Sequence, residues 1–263
     1  MPLKNPVIVS IDFDFFVREP VILDWGHSEA MSPELLEMIW AARRFGMTPK
    51  ATQALVPESG PRPVEFWGAL EGLGFSLVDA LAFFSDSHEV GGRQIFECLD
   101  KTMRYDLFHF DAHHDLGYRE SPEGILLGSS KWPSCEDWLI QYALKSRRID
   151  TVNVVYPEWR REPCPLSGIP AAEVSSVVEL GEQVKALERV GTSLDVLFWE
   201  DLEPEPCTVE FICVARSPAW VPPWFDDEYA VLLDECPGYE LHHSFGPHED
   251  LIFQPRQMNV CRL

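Results

Sequence analysis

The sequence predicts an α/β fold, a three-layer α-β-α sandwich around a mainly parallel sheet. Two observations carry this. Short runs rich in β-branched and aromatic residues, bounded by turn residues, recur along the chain, and helical patterns lie between several of them. Such alternation argues for parallel strands covered on both faces, with ligands held outside their carboxyl ends. At 263 residues the chain can bury a full core.

The elements follow in order. "VIVSIDFDFF" predicts a first strand over Val7–Phe16. Ser32 then caps a helix over Pro33–Phe45, with Leu35, Leu36, Met38, Ile39 and Ala42 on one side and Gly46 as the stop. Further strands are expected at Ser76–Phe84 and Tyr105–Phe110. Ser134, with Asp137 three residues on, opens a helix over Glu136–Arg148 that buries Trp138, Leu139 and Tyr142 and ends in basic residues. Thr151–Tyr156, Leu194–Trp199 and Val209–Ala215 complete the expected strands. The Pro-rich pieces at Pro57–Pro63, Pro157–Pro170 and Pro204–Pro206 read as loops, so 1–263 is expected to be one domain.

Composition narrows the function. With 21 Lys+Arg against 43 Asp+Glu, the net charge is -22. That argues against nucleic acid or an anionic membrane as partner and favours cations: metals, guanidinium groups, basic peptides. The seven cysteines are scattered without a C-x-x-C pair and read as reduced thiols. With no signal-like N-terminus and no run long enough to cross a bilayer, a cytoplasmic protein is expected.

The chemistry-bearing residues gather at predicted strand ends. In "FHFDAHHDLGY", strand alternation places Asp111, His113 and Asp115 on one side and Ala112 and His114 on the other. "SIDFDFF" places Asp12 and Asp14 together, and "SDSHEVGG" puts Asp86 and His88 just after an apolar strand. Carboxylates fixed so close repel strongly in a low-dielectric site, and a divalent cation removes the repulsion. Mixed oxygen and imidazole ligands suit manganese, iron or zinc. His109 shares the parity of Asp111 but lies deeper and reads as a core histidine; His114 reads as structural. His242, His243 and His248, with Glu249 and Asp250, read as a solvated C-terminal loop.

These residues resemble the ureohydrolase superfamily of arginases and their deacetylase relatives. "DAHHD" matches the D-A-H-x-D signature through Asp111, His113 and Asp115, His88 matches the earlier-loop histidine, and Asp12 and Asp14 match the S-x-D-x-D pair. The resemblance is closest to an atypical branch with a following Trp-containing helix and a strand ending in aromatic-Pro-x-Trp, here "VYPEW". Members of that branch that act on ribosomal peptides convert arginine to ornithine. It implies an arginase-like dimetal hydrolase, holding two divalent ions, expected as Mn2+, on Asp12, Asp14, His88, Asp111, His113 and Asp115. The implied partner is an arginine-containing peptide; oligomeric state stays open, a homo-oligomer included.

Two departures matter. Ureohydrolases place the D-x-D strand after D-A-H-x-D, whereas here it precedes it, so the N-terminal strand would be permuted into the same slot. The arginase S-G-N-x-H-G stretch has no counterpart in "GYRESPEGILLGSSKW", so its substrate residues do not carry over. Candidates come instead from "ILDWGHSEA": Asp24 and Trp25 for the guanidinium, His27 and Glu29 for catalysis, with Glu200 and Asp201 of "FWEDLEP" as further carboxylates. Rival readings are a haloacid-dehalogenase-like phosphatase with Asp12 as nucleophile, Asp14 as acid/base and magnesium near Asp226 and Asp227; a one-zinc deacetylase; and a non-catalytic acidic module that binds a basic peptide.

Overall fold

Strand β1, Val7–Asp12, is buried along its whole length, as befits the middle of a parallel sheet covered on both faces. The computed structural model describes residues 5–18, 33–45, 47, 55–117, 133–161, 180–237 and 239–244. Seven further strands join β1: β2 (Phe75–Ser76), β3 (Leu81–Ser85), β4 (Tyr105–Phe110), β5 (Ile149–Tyr156), β6 (Ser193–Phe198), β7 (Cys207–Ala215) and β8 (Tyr239–Ser244). Every pairing is parallel, and the order is β6-β5-β4-β1-β7-β3-β8, with β2 alongside β7.

Helices α1 (Pro33–Phe45), α2 (Pro63–Gly72), α3 (His88–Cys98), α4 (Trp138–Ser146), α5 (Gly181–Glu188) and α6 (Asp226–Asp234) surround the sheet. One core joins Val7, Val9 and Ile11 of β1 to Phe66 and Leu70 of α2 and Leu232 of α6. The other joins Ile8 to Ile95 of α3, Trp138 of α4 and Leu187 of α5. The architecture is therefore α/β, with a parallel sheet between helical layers. No helix among the described residues is long and apolar enough to cross a membrane. Cys98, Cys207 and Cys213 are free thiols.

Several expectations shift in detail. The first strand stops at Asp12, and Phe13–Phe16 form a 3₁₀ turn, because the Asp12 carboxylate accepts the Asp14 N–H at 3.1 Å and ends the ladder. Ser76–Phe84 breaks into β2 and β3. Helix α1 has the predicted bounds but buries Leu36 and Trp40, while Leu35 and Met38 are exposed. The Trp40 indole decides the rotation: it packs edge-on against Trp224 and donates to the Pro218 carbonyl at 2.9 Å. Helix α4 is shorter than Glu136–Arg148, since Asp137 accepts the Ser134 N–H and closes a turn ahead of it. His242 and His243 lie in β8 beside Phe83 and Phe84, not in a loop; His248, Glu249 and Asp250 lie outside the described residues.

Candidate metal centre

β1 lies between β4 and β7, and this adjacency brings the two acidic segments together at one end of the sheet. The 3₁₀ turn carrying Asp14 is clamped by aromatic packing: Phe13 on Tyr229, Phe15 on Phe110 and Phe16 on Phe66. Asp14 then reaches across to the loop after β4. One oxygen accepts the Ala112 N–H at 3.1 Å and the other meets His113 Nδ1 at 2.9 Å. Asp12 Oδ2 accepts the Ser217 hydroxyl, from a serine after β7 held at φ 51°.

Beyond Phe110 the chain leaves the strand, so side chains are placed by turns and not by alternation. Asp111 Oδ1 accepts the His113 N–H at 2.6 Å, and Asp115 adopts the left-handed region at φ 49°, a conformation that Asp tolerates better than most residues. Asp115 Oδ2 accepts the Trp138 indole N–H at 2.6 Å. His88, in the first turn of α3, stacks on the same indole at 4.9 Å and 10°. Its Nε2 lies 2.9 Å from Ser10 Oγ, and its Nδ1 lies 3.2 Å from Asp12 Oδ2 and 3.9 Å from Asp115 Oδ2. The glycines after His88 permit this approach: a Cβ on Gly91 would lie 2.5 Å from Cys213 Sγ, and one on Gly92 2.5 Å from the Trp138 ring.

Three ligand groups result, each with its atoms within 4.8 Å of one another: Asp12, His88 and Asp111; His109, Asp111 and Asp115; and Asp14, Asp111 and His113. Asp111 belongs to all three. All six residues expected as ligands are therefore brought together. They are buried save for His113, whose side chain is 20% exposed.

The donors fit a divalent cation. His88 Nδ1, His109 Nε2 and Asp111 Oδ2 are buried and make no hydrogen bond among the described residues; buried polar atoms are rarely left so. Among the described residues, none of the four carboxylates pairs with Lys or Arg. Burial and the negative charge of Asp111 and Asp12 push the Asp14 carboxyl well above the usual range. Burial and Asp111 raise Asp115 likewise. For Asp111 burial acts upward, but the His109 and His113 imidazoles outweigh it and hold its carboxyl low. Burial acts downward on His109, yet Asp111 and Asp115 push it up to about 10. The protein thus uses imidazoles where positive charge is needed.

His114 turns away. Its Nδ1 accepts the Leu116 N–H at 3.0 Å, and burial, with His113 nearby, pulls its pKa down to about 3. Glu200 and Asp201 sit in a 3₁₀ turn after β6, outside the three groups. Asp201 pairs with Arg161, and the Glu200 N–H donates to Glu158 at 3.0 Å. Asp226 accepts Arg216 Nε at 3.0 Å. Asp24, Trp25, His27 and Glu29 lie outside the described residues.

Sequence reasoning missed four contributors. His109 was legible by parity, since it shares the face of Asp111. Ser10 stands in "SIDFD" but its role needs His88 and His109 beside it. Trp138 and Ser217 reach the centre from α4 and from beyond β7, which no local pattern encodes. No protein-family model, no curated protein and no solved structure matches this chain.

Proposed function

We propose that the chain is an arginase-like dimetal hydrolase of guanidino groups, with β1 in a permuted position, that converts arginine residues of a ribosomally made peptide to ornithine and urea. One observation carries the reading. Asp14 of D-x-D meets Ala112 and His113 of D-A-H-x-D, 98 and 99 positions away, across adjacent parallel strands, with orphaned imidazole and carboxylate atoms beside them. Strand adjacency supports the permuted slot, because coordination depends on geometry and not on chain order.

Asp12, Asp14, His88, Asp111, His113 and Asp115 would hold two ions, taken as Mn2+. Divalent metal in such a cluster acidifies water near neutral pH and stabilises charge developing on a trigonal carbon. The protein's own residues set the approach. His113 is the most exposed member, so the reacting group enters beside it. Half-buried Trp220, its ring 5.1 Å from His113, offers a planar face for a guanidinium. A cavity of about 450 Å3 shares Phe13, Phe15 and Phe16 with the turn carrying Asp14 and gives apolar surface for flanking peptide residues. Oxygen from water adds to the guanidinium carbon, the carbon–Nε bond breaks, and the leaving amine takes a proton; His27 and Glu29 are the proposed donors. Asp24, Trp25 and Glu200 remain candidates for guanidinium recognition, while Asp201 already holds the Arg161 guanidinium.

The phosphatase alternative places magnesium near Asp226 and Asp227, and Asp226 is occupied by Arg216. Elemental analysis, followed by mass spectrometry of arginine peptides and free arginine, tests the proposal. Two ions per chain with ornithine formed in the peptide alone is the expected result. Conversion of free arginine alone overturns the peptide assignment, and no conversion by the fully loaded protein overturns guanidine hydrolysis.

A further inference from the structure

His109 is the residue that the ureohydrolase resemblance leaves without a role, yet it points into the centre. Its side chain is 0% exposed. Its Nε2 lies 2.8 Å from Asp111 Oδ2 and 3.5 Å from Asp115 Oδ2 but is aligned for a hydrogen bond with neither. Asp111 Oδ2 is also without a hydrogen bond. Two atoms that close, both buried, both unsatisfied and not directed at each other, have the spacing of neighbouring ligands on one ion.

The other side of the ring explains why Nε2 is available. His109 Nδ1 lies 3.3 Å from Ser10 Oγ, and His88 Nε2 lies 2.9 Å from the same oxygen. Ser10 is directly opposite His109 in the β1–β4 register, so the contact is built into the sheet. A hydroxyl oxygen has two lone pairs and one proton. If both rings donate N–H to Ser10, both present bare nitrogens to the carboxylates: Nδ1 of His88 and Nε2 of His109. If Ser10 instead donated to the His109 ring, a neutral ring would carry its proton on Nε2, and that N–H would turn onto Asp111. A cation at Nε2 needs that nitrogen bare, and the first arrangement supplies it for both rings at once.

We infer that His109 is a metal ligand: with Asp111 and Asp115 it forms a group that shares Asp111 with Asp12 and His88, so that the inner part of the centre offers two imidazoles while the outer position of Asp14, Asp111 and His113 has one. Ser10 is the positioning residue for both inner imidazoles. The inference rests on the dimetal reading and changes what the two positions prefer. More imidazole favours cobalt, nickel, zinc or iron over manganese. The inner position therefore takes a later first-row ion, and manganese is held by the outer one.

The metal-free full chain, titrated with Co2+ and followed by calorimetry and cobalt X-ray absorption, tests this without reference to activity. The wild type is expected to bind two ions sharing three imidazoles. His109→Gln should bind with two imidazoles, its tighter event weakened at least ~10-fold, and Ser10→Ala should weaken that event ~10-fold with three imidazoles retained. Melting of each metal-free variant separates loss of a ligand from loss of the fold, and if His109→Gln does not fold, the wild-type count decides alone. Two bound ions with only two imidazoles, or an unchanged count in folded His109→Gln, overturns the role of His109 and leaves the dimetal reading standing. A wild type that binds no cobalt overturns both.

Discussion

Asp111 divides its two oxygens between two neighbourhoods: Oδ1 lies 3.5 Å from His113 Nδ1 and Oδ2 lies 2.8 Å from His109 Nε2. Asp111→Asn keeps the shape but replaces one acceptor by a donor and removes the charge shared by all three ligand groups. Metal content near zero is the expected result, read by elemental analysis; retention of both ions would remove Asp111 from the centre. Asp14→Asn separates function from stability. The Asp14 carboxyl is raised by burial and by Asp111 and Asp12, so its ionised form destabilises the metal-free fold. The amide should raise the melting temperature of the metal-free protein while abolishing the further rise on adding metal. Trp220→Ala probes the entrance. Loss of a cation–π face is worth roughly 0.5–2 kcal/mol, so KM for an arginine peptide should rise several-fold with metal content unchanged.

At the level of elements, the position of His88 depends on how closely α3 approaches the sheet and α4. A methyl group on Gly92 would meet the Trp138 ring at 2.5 Å, and that indole both stacks on His88 and donates to Asp115. Gly92→Ala should therefore cost about 1–3 kcal/mol in denaturant unfolding of the metal-free protein, by overpacking, and should weaken metal binding as well. Gly68→Ala in α2 is the contrast, since its added methyl meets nothing within 4 Å; it should stabilise by ~0.5–1 kcal/mol through helix propensity. The strands were legible where both faces are buried, as in residues 211–215 of β7, because continuous apolar runs need no partner to be recognised. Helix α1 was legible in extent but not in rotation, since Trp40 finds its partner in a segment 178 residues away. The gathering of the candidate ligands was legible although the alternation used to group Asp111, His113 and Asp115 ends at Phe110. A turn replaced the strand yet kept the same residues converging. His109 was set aside because burial was equated with a satisfied core, whereas its Nε2 is buried and unsatisfied.

For the whole molecule, the sheet order places four carboxylates and three imidazoles at the ends of β1, β3 and β4, with no Lys or Arg partner among the described residues for any of the four acids. Without metal, the cluster depends on protons for charge balance. Burial pulls the His113 pKa down, but Asp14 and Asp111 overcome it and hold it well above its ordinary value, and His109 is pushed up to about 10. A histidine with a raised folded-state pKa adds stability that is full below its unfolded pKa of about 6.5 and is lost as pH climbs through the folded value. The raised Asp14 carboxyl acts in the same direction, since its destabilisation grows as pH rises above its unfolded pKa of about 3.9. The metal-free protein should thus lose stability between pH 6 and pH 8. The metal-bound protein should gain over the same range, because fewer protons must be displaced from the ligands. The metal-induced rise in melting temperature is therefore larger at pH 8 than at pH 6. Saturation a hundredfold above Kd contributes about 2.7 kcal/mol, roughly 5–10 °C for a chain of this size. Scanning calorimetry with manganese or chelator at the two pH values measures the difference. An equal increment at both would show that protons do not compete for the centre, and a smaller increment at pH 8 would reverse the sign derived from His113, His109 and Asp14.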